Sequence, residues 1–207
     1  MFAVAAVAGN AQPAELRVGE FSEGRLADWD TEEFEGETEY RIVEEDGRRV
    51  LQAVSRASAS GLGKEQRIDL QAYPYLNWSW KIDKRLPPRD ESTKAGDDYP
   101  ARIYLVVSGG WRFWRTKAVN YVWARNMEKG ASWPNAFAEN NVLMIAIRDG
   151  DDGTGTWYNE KRNVLKDLQQ FVDPDIRYID GIAIMTDTDN TESSATSFYG
   201  DIFFTSQ

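Results

Sequence analysis

The chain has 207 residues, 42% of them hydrophobic and 28% charged, which is enough for one well-cored domain. A net charge of −10 excludes a nucleic-acid interface, which needs a concentrated basic face, and the acidity is spread rather than gathered in a run. Cysteine and histidine are both absent, so disulfides, zinc ribbons, thiol nucleophiles and Ser-His or Cys-His relays are excluded as well.

Residues 1–14 are apolar and small, ending in Gly9-Asn10-Ala11 with the small-x-small look of a signal cleavage site. A truncated secretion signal or a disordered tail is expected there, with a periplasmic or secreted location, and the folded domain is expected over 15–207. Nothing later is apolar enough for a transmembrane segment.

Strands are predicted at Leu16 to Phe21, Tyr40 to Glu45 and Val50 to Ser55, the last two joined by the hairpin signal Asp46-Gly47. Lys64 to Leu70 alternates, and so does Tyr75 to Ile82. There Leu76, Trp78, Trp80 and Ile82 share one face, while Asn77, Ser79 and Lys81 share the other. After a loop from Leu86 to Tyr99, Ala101 to Ser108 alternates again and sets Ile103 and Leu105 opposite Arg102, Tyr104 and Val106. Lys117 to Ala124 follows with Tyr121 and Trp123 on one face, then a loop from Arg125 to Asn141, and a buried strand from Val142 to Arg148.

Asp149 to Gly155 reads as a glycine-rich acidic turn. Val164, Leu168 and Phe171 recur at helical spacing, predicting a short helix over Glu160 to Phe171. Two final strands, Ile179 to Met185 and Ser197 to Phe204, flank a polar loop and are expected to form a closing hairpin. Many short strands and one helix predict an all-β fold, a single antiparallel β-sandwich of jelly-roll type.

Several ordered motifs carry a resemblance. They are Trp78-Ser79-Trp80-Lys81, Thr93-Lys94-Ala95-Gly96-Asp97-Asp98, Ala101-Arg102, Asn120-Tyr121-Val122-Trp123, Glu160-Lys161-Arg162-Asn163-Val164 with Asp167, and Met185-Thr186-Asp187-Thr188-Asp189-Asn190-Thr191. With Tyr199-Gly200-Asp201-Ile202 they resemble the bacterial family catalogued as domain of unknown function 3047, over roughly Phe21 to Phe204. That resemblance implies no activity. The opening Phe21-Ser22-Glu23-Gly24 with Trp29, and the closing Tyr-Gly-Asp-Ile, are also similar in style to galactose-binding and lectin-type jelly rolls.

Three constellations are candidate sites. Asp187, Asp189, Asn190 and Asp201 supply the oxygens that a structural calcium ion requires; the same residues also serve an Asx-rich turn. Asp149, Asp151 and Asp152, with Glu160 at position twelve, form a second candidate of that kind. Lys81, Lys94, Asp97, Asp98, Arg102, Tyr121 and Trp123 would line a groove with cations, carboxylates and an aromatic platform, suited to a sugar or other small polar ligand. In the structural alternative, Arg102 and Asp97 brace a loop. Trp111, Trp114 and Trp133 either form a stacking tip or plug the open end of the sandwich.

The expected function is non-catalytic carbohydrate binding at the bacterial envelope, with a structural calcium. A histidine-free glycoside hydrolase would use Asp97 with Asp98, or Asp187 with Asp189; a polysaccharide lyase would use Tyr121 with Arg102 or Lys81. A structural or protein-docking module is the third reading.

Overall fold

The computed structural model describes residues 15–107 and 117–207. In chain order its strands begin with β1 (Glu15–Gly19), β2 (Asp30–Glu35), β3 (Glu39–Glu45), β4 (Arg48–Arg56), β5 (Ala59–Asp69), β6 (Tyr75–Ile82) and β7 (Arg102–Val107). They continue with β8 (Lys117–Trp123), β9 (Ser132–Asn135), β10 (Glu139–Arg148), β11 (Tyr158–Asn163), β12 (Tyr178–Met185), β13 (Ser194–Tyr199) and β14 (Ile202–Thr205). Helix α1 (Val164–Phe171) lies between β11 and β12. Among the described residues no helix is long and apolar enough to cross a membrane.

The strands form two seven-stranded sheets packed as a β-sandwich. One runs β1-β14-β6-β13-β4-β3, with β11 paired to β6 off this path; the other runs β2-β5-β12-β7-β8-β10-β9. Among the described residues every strand pair is antiparallel except β8 with β10. The exception follows from β9, which sits inside the segment expected to be loop. The chain leaves β8, lays β9 down farther out, and returns between them, antiparallel to β9 and therefore along β8.

Strands β2, β9 and β11 carry no readable alternation. Asp-Thr-Glu-Glu-Phe-Glu and Tyr-Asn-Glu-Lys-Arg-Asn are polar, and β9 has four residues including Pro134. Backbone pairing with a neighbouring strand, which composition does not report, makes them strands. The helix consequently starts at Val164, where the Asn163 side chain accepts from the Lys166 N–H at 3.0 Å and caps its first turn. By contrast the β3–β4 turn follows its sequence signal, with Asp46 and Gly47 both at positive φ (52° and 75°).

The final pair of strands is not a hairpin. β12 belongs to one sheet and β13 to the other, so Thr186 to Ser193 crosses between them. The β4–β5 connection crosses beside it: Thr188 N–H donates to Ser58 O at 3.0 Å, and Ala57 N–H to Ser193 O at 2.8 Å. Buried hydroxyls close the seam. Ser55 Oγ meets Thr188 Oγ1 at 2.7 Å, Thr38 Oγ1 donates to Thr186 O at 2.9 Å, and Thr186 Oγ1 donates to Pro100 O at 2.9 Å.

Between the sheets the alternation works as expected, with Leu76, Trp78, Trp80 and Ile82 buried against Ile103, Leu105, Ile145 and Ile184. The same layer takes Tyr121 and Trp123, which corrects their assignment to a ligand groove. Tyr121 stacks on Trp78 at 5.7 Å and 1°, and its hydroxyl donates to Asp167 Oδ2 at 2.6 Å. Trp123 packs against Trp80 at 5.8 Å. Both side chains point inward because β8 pairs with β7 in a register that sets Tyr121 beside Ile103.

Tyr121→Phe should therefore cost about 1–3 kcal/mol by leaving a buried carboxylate one donor short. In a chain of this size that lowers Tm by about 2–4 °C per kcal/mol. Thermal unfolding checks it, and ligand affinity should not change.

Candidate ligand-binding cleft

The outer face of the second sheet carries the residues that alternate with its core. Arg102 and Tyr104 come from β7, Val142 and Met144 from β10, and Met185 from β12. Part of this face is covered by the chain before β7 and by β9, where Tyr99 and Trp133 pack on Val122, Val142 and Met144. The Glu91 carboxylate pins that cover by accepting the backbone N–H groups of Arg125, Asn126 and Met127 at 2.6, 2.9 and 2.9 Å. Trp133 is thus a plug, its indole N–H donating to Glu91 O at 3.2 Å. Trp111 and Trp114 lie outside the described residues.

Beside the cover a cleft of about 420 Å³ stays open. Arg102, Tyr104 and Met185 form its floor, Phe34, Glu35 and Ala59 one wall, and Asn135, Phe137, Ala138 and Val142 the other. Asp97, Asp187, Asp189 and Asn190 close one end. Of the three exposed large apolar side chains among the described residues, two line this cleft: Phe34 at 43% exposure and Phe137 at 55%. Phe137 is placed by an Asx turn, in which Asn135 Oδ1 accepts the N–H groups of Phe137 and Ala138 at 3.0 and 2.9 Å.

Arg102 is 3% exposed and forms a buried ion pair with Asp187, which is 1% exposed. Asp97 stands 3.9 Å from the same guanidinium and accepts from Asn135 Nδ2 at 3.0 and 2.9 Å. Burial pushes the Asp97 carboxyl up to about 6, against the downward pull of Arg102 and Asn135. Burial also holds Asp187 well above the ordinary carboxylate range, with Arg102 pulling against it and Asp98, Asp97 and Asp189 adding to the rise. Asp189 is raised by the same causes, burial first and then Asp98. Three groups with unmet bonding capacity remain here: Arg102 Nε, Arg102 Nη1 and Asp189 Oδ1 are buried without a hydrogen-bond partner.

The structure brings together part of what the sequence proposed. Arg102 and Asp97 line the cleft, and Lys94 sits at its rim with Nζ 5.2 Å from the Phe137 ring. Lys81 does not belong to it. It lies on the outer face of the opposite sheet, buried beside Phe198 at 4.7 Å and ion-paired with Glu45 and Asp46. Asp98 lies behind the cleft and braces its end wall: one oxygen accepts Asn190 N and Nδ2 at 3.2 Å each, the other Thr191 N and Oγ1 at 2.7 and 2.6 Å. Tyr121 and Trp123 are core. Asp98 and Tyr121 are therefore withdrawn from the catalytic roles the sequence offered them.

Of the four residues proposed for calcium, Asp187, Asp189 and Asn190 share one end of the cleft, and Asp98 joins the two aspartates with carboxylate oxygens within 4.8 Å of one another. Asp201 is not in this group; it caps Ser22, accepting its N–H at 2.8 Å and its hydroxyl at 2.6 Å. In the second acidic turn Arg148 occupies the centre, 3.0 Å from Asp152 and 2.5 Å from Glu160, where a cation would have to sit. Asp149 there accepts the Asp151 and Lys129 N–H groups, which is turn chemistry.

The family profile for Protein of unknown function (DUF3047) matches residues 27–203. The chain belongs to the DUF3047 family. No match to this DUF3047 protein was found among curated protein sequences. Among solved structures it is similar to the family 30 carbohydrate-binding module of the cellulosomal cellulase Cel9D-Cel44B of Clostridium thermocellum. That match has a TM-score of 0.54 and 14% identity, covering 94% of this chain and 98% of that one. It is also similar, at a TM-score of 0.47 and 14% identity, to a structure described for the promiscuous specificity of carbohydrate-binding modules from the β-sandwich superfamily. There 90% of this chain spans 60% of that chain. At 14% identity the match with a TM-score of 0.54 supports the sandwich fold and nothing finer.

Tyr104, Asn135, Phe137 and Phe34 are cleft residues the sequence reading did not select. Tyr104 was legible, since it shares the strand face of Arg102. Phe137 and Phe34 sit in polar stretches where a lone exposed aromatic was the available signal.

The Asp97 carboxyl gives a pH-dependent prediction. Its folded value of about 6 is above the unfolded one, so the folded state holds the extra proton, and stability from this group falls as pH rises from about 4 to 6. Asp97→Asn should remove that slope and stabilise the protein at pH 7 by on the order of 1–2 kcal/mol, with the gain shrinking towards pH 4. Urea unfolding of both proteins across this range tests it.

Proposed function

We propose that this DUF3047 protein binds carbohydrate in the cleft on the outer face of its second sheet. One observation carries the reading: Phe137 stands exposed at the rim of a concave, mostly apolar site whose floor holds a buried guanidinium, two of its nitrogens without a hydrogen-bond partner. Ring faces of sugars stack on aromatic side chains, and sugar hydroxyls accept from and donate to fixed charged groups. The shared fold with a carbohydrate-binding module is consistent with it. Phe137→Ala should weaken oligosaccharide binding about tenfold, equivalent to about 1.4 kcal/mol, while Tm is retained because the ring is already in solvent. A glycan screen followed by calorimetry reads this; an unchanged affinity moves the binding site elsewhere.

Calcium enters the same reading at Asp98, Asp187 and Asp189. A calcium ion takes six to eight oxygens, so this wall would need water or ligand hydroxyls to complete the shell. Millimolar calcium added after chelation should raise the Tm of the native protein and not that of Asp189→Ala. An unchanged Tm leaves these carboxylates as a brace for the end wall.

A further inference from the structure

The charge of the cleft specifies its ligand more narrowly than the word carbohydrate does. Four carboxyl groups line it, those of Glu35, Asp97, Asp187 and Asp189, and one cation, Arg102, faces them from the floor. Arg102 is engaged with Asp187 and reaches Asp97 only at 3.9 Å. Lys94 belongs to the rim, where its ammonium lies 5.2 Å from the Phe137 ring. The site is thus short of positive charge, and Asp189 Oδ1 is buried at its end without a donor.

Arg102 sets a second requirement. It lines the floor, and its Nε and Nη1 are buried without a hydrogen-bond partner, Nη1 standing 3.9 Å from Asp97 Oδ2, so acceptor oxygens on an occupant suit this floor. An anionic sugar would satisfy Arg102 but would meet four carboxyl groups. A neutral sugar would supply hydroxyls but leave the charge uncompensated. A ring carrying both hydroxyl oxygens and an ammonium group meets both demands, and the face of Phe137 favours a cation or a ring face beside it.

We propose that the cleft selects an amino sugar with a free, protonated amine over the neutral or N-acetylated form of the same sugar. This rests on the carbohydrate reading above. The hydroxyl and ether oxygens bind the floor at Arg102, and in the calcium-free protein the ammonium takes the acidic end wall at Asp189, with Glu35 contributing from the side wall.

The test compares β-1,4-linked oligomers of glucose, N-acetylglucosamine and glucosamine, matched in length and differing only at C2, by titration calorimetry. At about pH 6 the sugar amine is charged, as an α-amino group would be. The glucosamine oligomer should bind at least about tenfold tighter than the glucose oligomer. That preference should shrink as salt rises from about 0.05 to 0.5 M. Asp189→Asn should bring the glucosamine-to-glucose ratio towards one, and Glu35→Gln should reduce it. Equal or tighter binding of the glucose or N-acetylglucosamine oligomer overturns the amine preference and leaves carbohydrate binding standing. A glucosamine preference that neither substitution alters overturns its assignment to this cleft. Binding of none of the three overturns the carbohydrate reading itself.

Discussion

The buried pair of Arg102 and Asp187 is the contact on which this architecture depends. Arg102 opens β7, and Asp187 lies two residues beyond Met185, its partner in β12. The two side chains are almost fully removed from water, which is tolerable only because each bonds the other. From this pair the bonding spreads to three further elements. Tyr99 N–H donates to Asp187 Oδ1 at 3.3 Å, Arg102 N–H donates to the Tyr199 hydroxyl at 3.3 Å, and that hydroxyl donates to Met185 O at 3.0 Å. The covering loop, the crossing segment and the opposite sheet are thereby fixed to one point.

That anchoring explains why polar residues are buried at one end of the sandwich. Two connections pass from sheet to sheet there, and their backbone groups cannot join either ladder. Thr38, Ser55, Ser58, Thr186 and Thr188 satisfy them instead, so hydroxyls replace strand pairing where the chain changes sheets. A hairpin at Asp187 would have placed the same aspartates in solvent. Crossing buries them beside Arg102 and makes them one end of a cleft.

The cleft in turn separates roles that the sequence had joined. Asp98 holds the end wall through four hydrogen bonds, Asp97 and Arg102 face the open space, and Lys81 serves a different face altogether. Of the carboxyl groups named for catalysis, Asp97, Asp187 and Asp189 line the cleft and are all pushed up by burial, Asp97 to about 6, whereas Asp98 lies behind it. Lining the cleft and bracing its wall are thus divided between adjacent residues of one loop.

The sequence by itself determined the class of fold, because alternation in Tyr75 to Ile82, Ala101 to Val107 and Lys117 to Trp123 is a local property of a strand buried on one side. It also determined the Asp46-Gly47 turn and the family, whose motifs are contiguous. It could not supply strand order, since hydrogen-bonded pairing joins residues distant in the chain. The polar strands β2 and β11 exist only through their neighbours. Whether Tyr121 or Tyr104 lined the cleft was likewise set by which face of the second sheet lay against the first. Both strand faces near Arg102 are rich in large side chains, and only packing of the two sheets decided which became core and which became cleft.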